Sequence, residues 1–144
     1  MVLYVAVLCY NVSMKHQIGE ITIKEGANVW PHEMHTAKAL ARKGYNVTFI
    51  KAHNSVNTAD AYINNTLFEF KSPEGCTSRA VQRNIVKALN RQSCNVVIDS
   101  FRMKKIQDRS IQSFMVKRLK EGKGIKRLIF VNRKGEAIDI NELV

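Results

Sequence analysis

The sequence predicts an α/β fold in which a mixed β-sheet is flanked by helices, and three observations carry that expectation. Short apolar or alternating runs and helix-length amphipathic stretches follow one another in the order strand, helix, strands, helix, strand, helix, strands. "NVVIDS" (95–100) is a continuous apolar run, the pattern of a strand covered on both faces and so central in the sheet. No repeat, low-complexity tract or linker interrupts the 144 residues, and Pro31 and Pro73 stand at element boundaries. A single domain spanning residues 1–144 is therefore expected, large enough to bury a core without staples.

The opening "MVLYVAVLCY" reads as a buried strand, being too short to span a bilayer and lacking a basic leader. "NVSMKHQ" is a loop and "GEITIKEG" a short strand bounded by Gly19 and Gly26. "WPHEMHTAKALARKG" is a helix, because Pro31 falls in its first turn, where a missing N–H costs least, and Gly44 follows its last turn. "YNVTFI" is a strand. Then "NTADAYINNTLFEFK" (57–71) supplies two alternating runs about Asn64-Asn65, a hairpin of Ala61 to Ile63 against Thr66 to Lys71. "TSRAVQRNIVKALNR" is a second helix with Val81, Ile85, Ala88 and Leu89 on one stripe. A third helix, roughly Ile106 to Glu121, turns Ile111, Phe114, Met115 and Leu119 inward, and "KRLIFVN" and "EAIDI" follow as strands around Gly135.

The hairpin concentrates the chemistry. With a two-residue turn at Asn64-Asn65, Ile63 meets Thr66, Tyr62 meets Leu67 and Ala61 meets Phe68, so Asp60 is expected directly opposite Glu69. Like charges so placed are destabilising and ask for compensation. Lys71 shares the face of Glu69, while Phe68 and Phe70 take the other and enter the core. A divalent cation, Mg²⁺ or Mn²⁺, would relieve the crowded carboxylates and also bind phosphate, with Lys71 positioning an attacking water or stabilising charge on a phosphate in flight. Glu33 lies four and seven positions before Ala37 and Leu40 and faces inward with them, where a buried glutamate needs a partner. The rival reading is a plain surface hairpin, its register shifted by one and Asp60 capping a turn.

Charge names the class of partner. Twenty-three Lys and Arg against 12 Asp and Glu leave a formal net charge of +11, which points to an anionic partner, nucleic acid first. Arg79, Arg83, Lys87 and Arg91 recur at intervals of four along the second helix, a ridge without interleaved acids that a phosphate backbone could follow away from Lys71. A solvated helix face is the plainer alternative. Arg102 adds to the basic set, and Lys104, Lys105 and Arg109, continuing with Lys117, Arg118 and Lys120 toward Lys123, Lys126 and Arg127, form a second cluster whose plainer role is solubility. Few aromatics interleave with these charges, so backbone tracking is expected rather than stacking.

Other residues suggest less. Cys9, Cys76 and Cys94 show no CxxC spacing, which argues against a disulfide framework or thiolate zinc site and suits a cytoplasmic place of action. His32 and His35 read as exposed histidines, and His16 and His53 sit in polar loops. Asp99, with Arg102 close behind, reads as a local ion pair or turn.

Glu33 on a helix, Asp60 and "EFK" on a hairpin, and a following helix together resemble the PD-(D/E)XK nuclease superfamily. More narrowly, "NVWPHEMHTAKALARKGYNVTFI", "TADAYINNTLFEFKSP", "SRAVQRNIVKAL" and "NVVIDSFR" are similar to the C-terminal tRNA-cleaving domain of contact-dependent growth inhibition toxins, over about residues 24–140. The resemblance implies a restriction-endonuclease-like core, an active site of Glu33, Asp60, Glu69 and Lys71, and Mg²⁺ held by the three acids. It implies RNA carried by the basic helix, tRNA as first substrate, and a dedicated immunity protein as partner. Ala59 stands where the superfamily's name has proline. Alternatives kept open are a DNA endonuclease and a catalytically silent nucleic-acid-binding module, and the chain is either the tip of a larger toxin or a free-standing relative.

Overall fold

The computed structural model describes residues 17–51 and 59–144 and the backbone of Val2–Ala6. Cys9, His16, most of the loop "NVSMKHQ", His53 and the start of the quoted hairpin stretch lie outside the described residues. In chain order the elements are β1 (Val2–Ala6), β2 (Glu20–Lys24), α1 (Pro31–Lys43), β3 (Val47–Phe49), β4 (Ala61–Ile63), β5 (Thr66–Lys71), α2 (Ser78–Asn90), β6 (Asn95–Asp99), α3 (Asp108–Lys120), β7 (Arg127–Val131) and β8 (Ala137–Asp139). A 3₁₀ turn, Ile140–Leu143, follows β8 and takes the last residue, Ile140, of the expected strand "EAIDI".

The strands form one mixed sheet in sequence order β1 to β8. β2 and β3 are parallel, as are β5 with β6 and β6 with β7; the other neighbours are antiparallel. The helices are the crossovers that parallel pairing demands: α1 joins β2 to β3, α2 joins β5 to β6, and α3 joins β6 to β7. This is a mixed α/β architecture, with "NVVIDS" as β6 between two parallel partners.

Each face of the sheet has its own core. Under α1, Ala37 and Leu40 pack on Ile21, Val47, Phe49, Ala61, Ile63, Phe68, Phe70 and Val97. On the opposite face Val81 and Ile85 of α2 and Ile111 and Met115 of α3 pack on Val96, Ile98, Leu128 and Phe130. Fully burying one Leu, Ile or Phe side chain stabilises by roughly 1.5–3 kcal/mol, so either layer offsets much of the ordering cost of its helices. Helix periodicity was a good guide, with Phe114, Leu119 and Leu89 only partly buried at the margins.

Two glycines are required by geometry. Gly44 closes α1 with φ 106°, and its N–H returns to the α1 carbonyls of Ala41 and Leu40. At Gly19 a Cβ would lie 1.8 Å from the Tyr45 carbonyl oxygen, which fixes how closely β2's approach passes the end of α1.

Candidate active site

The hairpin turns where expected. Asn64 and Asn65 both adopt positive φ, 51° and 93°, as a two-residue hairpin turn requires, and Ile63 pairs with Thr66, Tyr62 with Leu67 and Ala61 with Phe68. Phe68 and Phe70 enter the core under α1. Glu69 and Lys71 point to the other face, beside Val96 and Ile98 in register, and Lys71 Nζ lies 3.0 Å from Glu69 Oε1.

Asp60 departs from the expected pairing. The ladder stops at Ala61 and Phe68; Asp60 occupies a bend and donates its N–H to the Phe68 carbonyl at 3.1 Å. It is therefore not a cross-strand partner of Glu69. Its carboxylate turns to the end of β5, where Oδ2 accepts the Phe70 N–H at 2.7 Å. There the carboxylate feels the charges of Glu69 and Lys71 on one face and of Glu33 on the other.

Glu33 arrives from the other side. Because α1 covers the face of Phe68 and Phe70, Glu33 stands across the sheet from Glu69 rather than over it. It is buried as expected, but its oxygen Oε1 accepts the Trp30 N–H at 2.8 Å, so the partner an inward glutamate needs is the first turn of its own helix. A cavity of about 190 Å³ opens between Glu33 and Asp60, lined also by Gly26, Asn28 and Lys51. Lys51 stands two residues after β3 and carried no signal in the sequence beyond its charge.

The charges of this cluster act on one another. Burial pushes the Asp60 carboxyl up from its ordinary 3.8 to about 7; the negative charge of Glu69 adds to this, the Phe70 N–H opposes it, Glu33 raises it further and Lys71 lowers it. All four predicted site residues therefore share one electrostatic field. Glu69 is 1% exposed. Its Oε1 is held by Lys71 and by Arg91 Nη1 at 3.3 Å, while Oε2 is buried with no hydrogen-bond partner.

Among the described residues no group of three or more His, Cys, Asp or Glu is arranged to hold a metal ion. Glu33 and Asp60 each have one oxygen engaged by a backbone N–H. A hard cation of the Mg²⁺ type keeps several waters and needs only one or two carboxylates plus substrate phosphate rather than a closed protein cage. The unpartnered Glu69 Oε2 and the charge-crowded Asp60 are the two oxygens suited to it.

The basic ridge is present with one change of role. Arg79, Arg83, Lys87 and Arg91 are all exposed on α2 and its C-cap. Arg91 also reaches back to Glu69, which joins the ridge to the acidic pair. Arg102 is half-buried and structural: Nε donates to the Ser72 carbonyl at 3.2 Å and Nη1 lies 3.2 Å from Glu74, tying together the loops after β5 and β6. In the second cluster Arg118 is buried, its Nε donating to Gln82 Oε1 at 3.2 Å, so it belongs to the α2–α3 contact.

Asp99 differs from its expected pairing with Arg102. It is fully buried; Oδ1 accepts the Phe101 N–H at 3.0 Å, a turn of the expected kind. Oδ2 receives Thr36 Oγ1 at 2.7 Å and lies 2.9 Å from His35 Nδ1. His35 is thus half-buried and stacked on Phe101 with ring centroids 4.0 Å apart. Sequence spacing could not reveal this, because the contact joins positions 63 and 64 residues apart. Cys76 and Cys94 are free thiols, and among the described residues no helix is long and apolar enough to cross a membrane.

The family model for the contact-dependent growth inhibition CdiA C-terminal domain matches residues 57–137, more than half of the chain. A solved structure, a CdiA-CT/CdiI toxin and immunity complex from Burkholderia pseudomallei, contains a chain of similar fold, with a TM-score of 0.65 at 18% identity. The match covers 81% of this chain and 96% of that one. No curated protein matches.

Proposed function

The chain belongs to the contact-dependent growth inhibition CdiA C-terminal domain family, and from that premise we propose that this toxin domain is a metal-dependent ribonuclease of the PD-(D/E)XK type that cleaves tRNA. The observation that carries the reading is the pairing of Lys71 with a buried Glu69 whose second oxygen has no donor, beside an Asp60 whose charge is opposed by burial and by two neighbouring carboxylates. Such an arrangement is costly as structure and useful as chemistry.

In this reading Asp60 and Glu69 would hold Mg²⁺ or Mn²⁺, and Glu33, on the other face of the sheet, would act through the negative charge it sets beside Asp60. When bound, the cation supplies Lewis acidity toward a phosphate oxygen. Lys71, kept in place by Glu69 Oε1, faces the charge that develops on the nonbridging oxygens as water attacks phosphorus and the ester P–O bond breaks. Arg91 bridges from Glu69 to the α2 ridge, where Arg83 and Arg79 engage successive phosphates. The same exposed cations suit an immunity protein with an acidic surface, which would protect the cell that makes the toxin. The place of action is the cytoplasm of a target cell, where tRNA is found.

The test is incubation with tRNA and with plasmid DNA, in Mg²⁺ and in EDTA, beside Glu69→Gln and Lys71→Ala. Cleavage of tRNA in Mg²⁺, lost by about 100-fold or more in both variants, is expected. Cleavage of DNA alone would transfer the site to a DNA endonuclease. Cleavage of neither polymer under any metal would leave a binding module without catalysis.

A further inference from the structure

Among the described residues, nothing packs over half of one sheet face. Ala61 and Ile63 point into the core under α1, so Tyr62 between them points the opposite way, and the same alternation turns out Thr48 between Val47 and Phe49. Tyr62 stands beside Thr48, and Thr48 beside Thr22, in register. On that face α2 and α3 pack over β6 and β7, and among the described residues no helix covers β2 to β4.

This half holds a groove of about 470 Å³ lined by Lys24, Asn46, Thr48, Tyr62, Asn64 and Asn65, a volume in the range of small-ligand sites. Tyr62 is 37% exposed at its floor. The lining contains one cation and no carboxylate. Asn64 Oδ1 accepts the Asn46 N–H at 2.9 Å and Asn46 Oδ1 accepts the Glu20 N–H at 3.0 Å. Both amides therefore commit their oxygen to the backbone and keep their NH₂ as donors. A donor-rich groove with one positive charge and an aromatic floor complements a ligand that is anionic, rich in acceptors and flat.

The groove is also placed to work with the site. Tyr62 pairs with Leu67, and Leu67, Glu69 and Lys71 alternate onto one side, so the groove and the buried Glu69–Lys71 pair lie on the same face of the sheet. We infer that the groove on this face of β2 to β4 is a subsite for one unpaired nucleotide next to the cleaved bond. Its base stacks on Tyr62, its acceptor edge meets the Asn46 and Asn64 amides, and its phosphate meets Lys24. The inference rests on the nuclease reading above and deepens it, since a stacked base must be free of its duplex partner. It revises the expectation that bases are not stacked.

The experiment is fluorescence anisotropy in EDTA with a labelled single-stranded RNA and a blunt RNA duplex of equal length, comparing wild type, Tyr62→Ala, Tyr62→Phe and Lys24→Ala. Thermal melts confirm that each variant is folded. Tyr62→Ala should weaken single-strand binding about 5- to 100-fold while duplex binding changes less than about twofold, and Tyr62→Phe should stay near wild type because it keeps the ring. Lys24→Ala should lower the salt slope by about one contact. If wild type binds single strands and Tyr62→Ala binds them equally well, the subsite is wrong and the nuclease reading stands. If wild type binds neither RNA, the nuclease reading fails and takes the subsite with it. If Tyr62→Ala leaves RNA binding intact but abolishes binding of the purified immunity protein, the face is a protein-docking surface and the inference is overturned.

Discussion

Replacing Asp60 by Asn should stabilise the metal-free protein at pH 8 and leave it little changed at pH 4. The folded carboxyl, raised by burial first and by Glu69 next, binds its proton up to about pH 7, whereas the unfolded one releases it near 3.8. Between those values the folded state holds more protons, so stability is fully present below about 3.8, falls as pH rises, and levels off above 7. A difference of about three pH units at 1.36 kcal/mol each sets a ceiling of roughly 4 kcal/mol. Asp60 keeps partial access to solvent, so about half of that, about 2 kcal/mol, is expected. Asparagine is uncharged at every pH and its oxygen still accepts the Phe70 N–H, so the substitution isolates the charge. Urea unfolding in EDTA at pH 4 to 8 measures it: the variant's advantage should open between pH 4 and 7 and then hold constant. A pH-independent difference, or a variant less stable than wild type at pH 8, would show that Asp60 is not the crowded carboxylate the structure describes. Mg²⁺ added at pH 8 should stabilise wild type more than the variant, because binding to the folded state alone raises stability.

Two further outcomes follow from the same geometry. Arg79→Ala and Arg83→Ala, on the exposed ridge, should each weaken RNA binding across sequences and reduce the slope of log K against log salt by about one, read from a salt titration. Asp99→Ala should cost about 2–4 kcal/mol in denaturant unfolding, since it removes the acceptor for Thr36, Phe101 and His35 in a fully buried setting, and Thr36→Val should cost less than half of that. An Asp99→Ala loss below about 0.5 kcal/mol would show that these contacts contribute nothing net.

The hairpin shows how far local patterning reaches. Asn64-Asn65 is a turn because few other residue pairs tolerate two successive positive φ values, and that alone sets the register up to Ala61–Phe68 and the shared face of Glu69 and Lys71. Periodicity likewise gave the three helices and their buried stripes, and the apolar run of β6 its central place. These features depend on contacts between residues near in sequence, or on which face water must leave.

What tertiary structure decided is the placement of everything that meets across the sheet. The bend at Asp60, which ends the ladder one pair early, depends on a hydrogen bond to Phe70 rather than on the residues of β4. The side of the sheet from which Glu33 approaches follows from the crossover of α1, and Arg91 reaches Glu69 only because α2 lies over the opposite face. Asp99 takes His35 and Thr36 in preference to the nearby Arg102 because burial rewards whichever donors the packed core brings to it, and distance along the chain carries no information about that.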